Sequence, residues 1–418
     1  MFVSIERAFA DELRWLTEDN YRKAFGVAVS GGGDSTALLH LAARWAGLHG
    51  FVVHAVTVDH GLRAASATET AKVARTCAAL GISHDVRRWQ GWAGQGNLQD
   101  AARQARRGLI ADWADERTLD LVMLGHTADD QAETVLMRMA RGSGVDGLAG
   151  MRDYRLDRIG WYRPLLALRR DALREWLTGE GIGWIEDPSN DDLRFDRIKA
   201  RKMLGHLAEL GLTVERLTDL AGHMRGESEI VRGVVQEFAA RVVREDRGDL
   251  LIDRAQFRAA LPHLRTRLLA RALQWVASAP YPPRYAALSH MATQMFYAAA
   301  GTLHGCLVTE QRTGAEQIYR IAREHAAVRS VICRPGEVWD GRWAIVGPQQ
   351  PDLEVRALGD AGLRVCPDWR ACGFPAASLL SSPAVWQGDT LIAAPLAGFN
   401  AAWTARIVTD FHASLLSH

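Results

Sequence analysis

The chain has 418 residues, is 48% hydrophobic and 24% charged, and carries a formal net charge of +1. That length exceeds what one core organises, so two or three domains are expected. The near-neutral charge excludes a surface coated for nucleic acid and leaves room only for a local basic patch.

In chain order, the N-terminal MFVSIERAFADELRW sets acids inside its apolar pattern, and no uncharged apolar window of membrane-spanning length follows. Neither a signal peptide nor a membrane contact is readable, and a cytoplasmic address is expected. Residues 25–30 (FGVAVS), 51–60 (FVVHAVTVDH) and 119–126 (LDLVMLGH) are apolar runs of strand length. Each precedes helix-like spacing, at 35–45, 67–80 and 128–141. Strands without polar alternation are buried on both faces, which requires a parallel sheet covered by helices. From about residue 192 the pattern turns helical through residue 279, and PYPPRYA at 280–286 breaks it. Beyond 302, short apolar runs such as GCLVTE, RWAIVG and DTLIAAP lie between turn signals. The expected fold class is α/β: a doubly wound, mostly parallel sheet in an N-terminal domain (1–204), then a helical domain (205–300) and a small mixed α/β or β-rich domain (301–418).

Five cysteines, Cys77, Cys306, Cys333, Cys366 and Cys372, are widely spaced with no C-x-x-C pair. They read as buried small apolar residues and offer nothing for zinc or an iron–sulfur cluster.

In a doubly wound sheet ligands collect at the carboxyl ends of strands, so residues 30–35, 59–63 and 125–133 should converge on one edge. The first of these segments is rich in glycine, which lets backbone approach an anion closely, and the following helix adds free N–H groups. Its spacing is neither G-x-G-x-x-G nor G-x-x-x-x-G-K-[ST], which disfavours dinucleotide binding and γ-phosphate hydrolysis. Ser30, Gly31, Gly32, Gly33, Asp34 and Ser35 instead read S-G-G-x-D-S. This motif resembles the pyrophosphatase loop of the N-type ATP pyrophosphatases, which implies cleavage of ATP between its α and β phosphates. An acid among phosphates is repulsive unless a divalent cation sits between them. Asp34 is therefore expected to hold Mg²⁺ together with phosphate oxygens, while Ser30 and Ser35 donate to the pyrophosphate. The competing reading is a glycine turn with Asp34 capping the helix.

VDHGLR (58–63), NLQDAARQARRGLIADWA (97–114), GHTADDQAETVLMRMARGSG (125–144) and WIEDPSNDDLRFDRIKARKML (184–204), in that order, closely resemble the bacterial tRNA(Ile)-lysidine synthetase family. The resemblance is strong over about residues 20–205. It implies an ATP-dependent ligase whose substrates are ATP, free L-lysine and the isoleucine tRNA with a CAU anticodon. In such enzymes the C2 oxygen of the wobble cytidine is adenylated with release of pyrophosphate, and the lysine ε-amine then displaces AMP. Lysine must lose a proton to attack, because its ordinary pKa is about 10.4, so a nearby carboxylate is useful. Asp130 and Glu133 stand i, i+3 on one helical face and are assigned to hold lysine and steer its amine. The alternative is that ADDQ is an acidic helix start favoured by the dipole, which suits Asp129 better than Glu133.

The resemblance further places His60 near the nucleotide and Arg103, with Arg106, near the reacting phosphates or base, where charge stabilisation would suit them. His126 ends a strand at the same edge. Arg194, Arg197, Lys199, Arg201 and Lys202 form a basic run, of which Arg197, Lys199 and Arg201 are the expected tRNA-phosphate contacts. Where the family typically reads R-N-x-[IL]-R, this chain has Phe195 and Asp196. A homodimer through the helical region is compatible with the sequence. Two other readings stay open: a 2-thiolation enzyme of the same superfamily, disfavoured by the cysteines, and an inert ATP- and RNA-binding protein, disfavoured by Asp34, Asp130 and Glu133 all being present.

Overall fold

The computed structural model describes residues 4–18, 22–59, 66–89, 98–186, 194, 196–297, 301–314, 316–348 and 350–416. The chain divides into two compact units, Met1–Glu229 and Ile230–His418.

In the first unit, α1 (Ile5–Glu12) and α2 (Trp15–Glu18) precede β1 (Ala24–Ala28), α3 (Gly33–His49), β2 (Val52–Asp59), α4 (Ser66–Ala79) and β3 (Ser83–Arg88). Then come α5 (Leu98–Glu116), β4 (Leu121–Leu124), α6 (Ala128–Ala140), α7 (Val145–Leu148), β5 (Tyr154–Leu156), β6 (Gly160–Tyr162), α8 (Arg170–Gly179) and α9 (Asp196–Ala208). α10 (Val214–Val242) runs across the division between units.

The six strands form one sheet in the order β3-β2-β1-β4-β6-β5. All neighbours are parallel except the β5–β6 edge pair. The expected doubly wound sheet is present, and the reason is visible in β1. Val27 packs with Phe25, Leu38, Leu41 and Trp45 on one face, while Ala28 packs with Ile110, Trp113, Val122 and Trp161 on the other. A strand covered on both sides has no water-facing position for a polar residue. Each fully buried Leu of α3, such as Leu38, contributes roughly 2 kcal/mol by leaving water. Strand order reverses between β1 and β4, so the segments after these two strands flank the crevice where such sheets bind ligands.

The second unit is built on antiparallel sheets. The largest has the order β7-β8-β11-β10-β9, with β7 (Val243–Asp246), β8 (Asp249–Asp253), β9 (Gly301–Leu303), β10 (Cys306–Thr313) and β11 (Glu316–Arg323). Helices α12 (Pro262–Val276) and α13 (Tyr285–Tyr297), which follow the short α11 (Arg254–Ala259), share its core through Leu268, Leu269, Leu273, Met291 and Met295. Among the described residues the unit also holds two three-stranded sheets and several short helices. The helical pattern expected through residue 279 is thus interrupted by the β7–β8 hairpin, whose Leu250 and Ile252 are buried. Among the described residues no helix is long and apolar enough to cross a membrane.

Candidate active site

The loop after β1 is ordered by its own hydroxyls. Ser35 Oγ donates to the Gly32 carbonyl at 3.0 Å and lies 3.1 Å from Ser30 Oγ, while the Ser30 N–H reaches Ser35 Oγ at 3.2 Å. Thr36 Oγ1 closes the turn on the Gly31 carbonyl at 3.2 Å. Gly31 has φ +87°, and a Cβ there would stand 2.5 Å from Ile185 Cδ1, so both backbone and packing require glycine. Helix α3 starts with Gly32 as its N-cap and no side chain capping it. Its first N–H groups are therefore left for an external acceptor, which is what an anion needs. The capping role considered for Asp34 is not the one it takes: its carboxylate faces an arginine.

That arginine is Arg170, the first residue of α8. Its Nε donates to Asp34 Oδ2 at 3.0 Å, its Nη2 to Asp130 Oδ1 at 3.2 Å and its Nη1 to Glu133 Oε1 at 3.3 Å. The three carboxylates assigned from sequence thus converge on one guanidinium. Asp130 and Glu133 do share a face of α6. Asp130 also forms a capping box, its Oδ2 accepting the Thr127 N–H at 2.9 Å and the Thr127 hydroxyl at 3.1 Å. Asp129 instead anchors α8, accepting the Arg170 N–H at 2.7 Å and the Arg169 guanidinium at 3.3 Å.

Glu133 is wholly buried and is met by two further arginines. Arg201 Nε donates to Oε1 at 2.8 Å, and Arg197 Nε stands 3.4 Å from Oε2. Two of the three basic residues expected on tRNA phosphates are therefore turned onto Glu133, while exposed Lys199 pairs with Asp196 at 3.3 Å. Arg103 is exposed on α5, with Arg106 about one turn further on. His60 lies outside the described residues.

Electrostatics separate the acids. Burial raises Asp34 above its ordinary 3.8, and Arg170 offsets only part of that. For Asp130 burial again disfavours the charge, but Arg170, His126 and Arg197, together with the Thr127 N–H, outweigh it and hold the carboxyl low. Burial, opposed by Asp130 and reinforced by Arg163, Arg197 and Arg106, pushes His126 down to about 3, so its imidazole is neutral at pH 7. Its Nδ1 is buried with no hydrogen-bond partner among the described residues.

Among the described residues no three His, Cys, Asp or Glu are grouped to hold a metal alone. A divalent cation is nevertheless compatible with Asp34, a part-buried carboxylate beside an uncapped helix start, because Mg²⁺ is commonly held by one or two carboxylates plus phosphate oxygens. The thiols offer no competing chemistry: Cys77 is buried in the core beside α3, and burial pushes it up to about 11.

The sequence reading missed Arg170. Arg170 lies in RPLLALRRDALREWL (163–177), between the motifs that carry the family resemblance. Gly125 lies in the segment expected to converge with residues 30–35, and it does: a Cβ there would lie 3.1 Å from the Asp34 carbonyl oxygen and the Ser35 nitrogen.

The parallel sheet, its reversal point and the loop after β1 define a PP-loop ATP-using protein, and the model of the PP-loop domain family matches residues 5–207. Full-length relatives narrow the class. A tRNA(Ile)-lysidine synthase of Ruegeria pomeroyi is 47% identical over 400 residues, covering 95% of this chain and 94% of that protein. One from Hyphomonas neptunium is 41% identical over 319 residues, covering 74% and 84%. The chain belongs to the tRNA(Ile)-lysidine synthase family, whose members are ATP-dependent tRNA-modifying ligases.

Proposed function

We propose that this chain ligates free L-lysine to C2 of the wobble cytidine of the CAU-anticodon isoleucine tRNA. The cytidine C2 oxygen attacks the α-phosphate of ATP, the bond between the α and β phosphates breaks, and pyrophosphate leaves. The lysine ε-amine then attacks C2, and AMP departs with the former C2 oxygen.

The observation that carries this reading is the convergence of Asp34, Asp130 and Glu133 beside an uncapped helix start that follows a glycine loop. The loop N–H groups, with Ser30 and Ser35, would take the pyrophosphate. Asp34 would hold Mg²⁺, which neutralises charge on the leaving pyrophosphate. Asp130 and Glu133 would take the lysine ammonium and orient it, and Glu133 would accept its proton. Arg103 would stabilise charge at the α-phosphate, His60 would stand near the nucleotide, and exposed Lys199 would meet tRNA phosphates, which Arg197 and Arg201 would reach only by leaving Glu133. Cytoplasm is the compartment where these substrates meet.

A half-reaction tests the order of events. With Mg²⁺, ATP and the isoleucine transcript but no lysine, pyrophosphate release and a labelled adenylyl group on the RNA are expected. Lysine should then discharge AMP. Pyrophosphate release that is equally fast without RNA would contradict the scheme.

A further inference from the structure

We propose that Arg170 is a positioning residue that makes lysine binding depend on prior binding of nucleotide. The inference rests on the lysine and nucleotide sites proposed above and goes beyond them.

One guanidinium spans both sites. Its Nε is on Asp34, in the first turn of the helix after β1; Nη2 and Nη1 are on Asp130 and Glu133, in the helix after β4. The contact with Asp130 is decisive. Asp130 Oδ2 already accepts both the Thr127 N–H and the Thr127 hydroxyl, so Oδ1 is the oxygen left for a substrate. Oδ1 is the atom that Arg170 occupies. Glu133 Oε1 is likewise shared between Arg170 and Arg201. In this state a lysine ammonium meets an acidic pair whose charge is already answered.

Arginine does not escape by losing its proton, since its pKa exceeds about 12. It leaves only for a better anion. Nucleotide phosphates seated at the α3 start lie beside Asp34, which Arg170 already touches, and a planar guanidinium matches phosphate oxygens well. Drawing Arg170 toward the phosphates frees Asp130 Oδ1 for lysine and takes one of the two guanidiniums off Glu133 Oε1, which keeps Arg201. The α8 backbone need not move, because the Arg170 N–H stays fixed to Asp129. Linkage then requires the converse: bound lysine tightens nucleotide binding by the same factor.

The test is equilibrium binding of labelled L-lysine to the full chain, with and without a Mg²⁺-loaded ATP analogue blocked between the α and β phosphates. Wild type should bind lysine at least about fivefold more tightly with the analogue, the lower end of ordinary coupling. Arg170→Gln should bind lysine with an affinity that no longer responds to the analogue. Arg170→Lys, which cannot bridge three carboxylates, should show reduced coupling, and it serves if the glutamine variant fails to fold. A purely structural arginine would weaken both affinities and leave their ratio intact, so preserved coupling in a folded variant overturns the proposal. So does a wild-type lysine affinity indifferent to nucleotide. If wild type binds no lysine in any condition, the lysine site itself is misassigned, and the proposal falls with it.

Discussion

Gly125 and Asp34 come from segments that follow different strands, and they meet backbone to backbone: a Cβ on Gly125 would sit 3.1 Å from the Asp34 carbonyl oxygen. The end of β4 thus sets the height of the first turn of α3. Gly125→Ala should push that turn by a few tenths of an ångström. We expect the KM for ATP to rise by about tenfold, given that a misplacement of ~1 Å can cost a hundredfold. Thermal stability should change little. Unchanged ATP kinetics would show that the contact does not position the loop.

Asp34→Asn separates function from stability. Its folded carboxyl holds a proton more tightly than the ordinary 3.8, mainly through burial. Stability therefore falls as pH rises through the two values, and at pH 7 the ionised side chain burdens the ligand-free fold. The asparagine variant should lose pyrophosphate release yet unfold in urea no earlier than wild type at pH 7. Earlier unfolding would mean that the Arg170 pairing outweighs the burial.

Glu133→Gln should behave in the opposite way. It leaves Arg170, Arg197 and Arg201 facing a neutral group where a fully buried carboxylate stood. The expected loss is about 2–3 kcal/mol in urea denaturation, less than for a pair buried on both sides because Arg197 and Arg201 keep contact with water. A variant as stable as wild type would remove Glu133 from the scaffold and leave it a role in chemistry alone.

His126 gives the fold an acid-side weakness. The unfolded chain takes up a proton below the ordinary 6.5, while the buried imidazole resists until about 3. The unfolded state binds more protons across that window, so stability falls as pH falls from 6.5 toward 3. Between pH 7 and pH 5 the contribution is about 2 kcal/mol. His126→Asn should lose less stability over that interval, and an unchanged pH slope would place the imidazole in contact with water.

The sheet centre was legible because β1, β2 and β4 have few water-facing positions, and burial on two faces leaves no polar alternation in a sequence. Edge strand β3 was not: SHDVRR is only partly buried and reads as a polar segment. The β7–β8 hairpin escaped because α10 passes straight into β7 at Val242 and Val243, and the break in pattern arrives only at Gly248, in the turn. Within the site, the loop and the Asp130–Glu133 pair are local patterns and could be read as such. Arg170 is not local. Its partners lie 136, 40 and 37 residues away in sequence, so its role exists only once three helix starts are brought together. The same holds for Arg197 and Arg201, whose spacing suggests a basic surface while Glu133 holds them.

Lysine ligation is measured by incorporation of labelled L-lysine into an in vitro transcript of the CAU-anticodon isoleucine tRNA, with ATP and Mg²⁺. The methionine tRNA and the Asp34→Ala protein run in parallel. Uptake by the isoleucine transcript alone, lost in the variant, is expected. Well-folded wild-type protein that releases AMP and pyrophosphate without fixing lysine would contradict the proposed ligation.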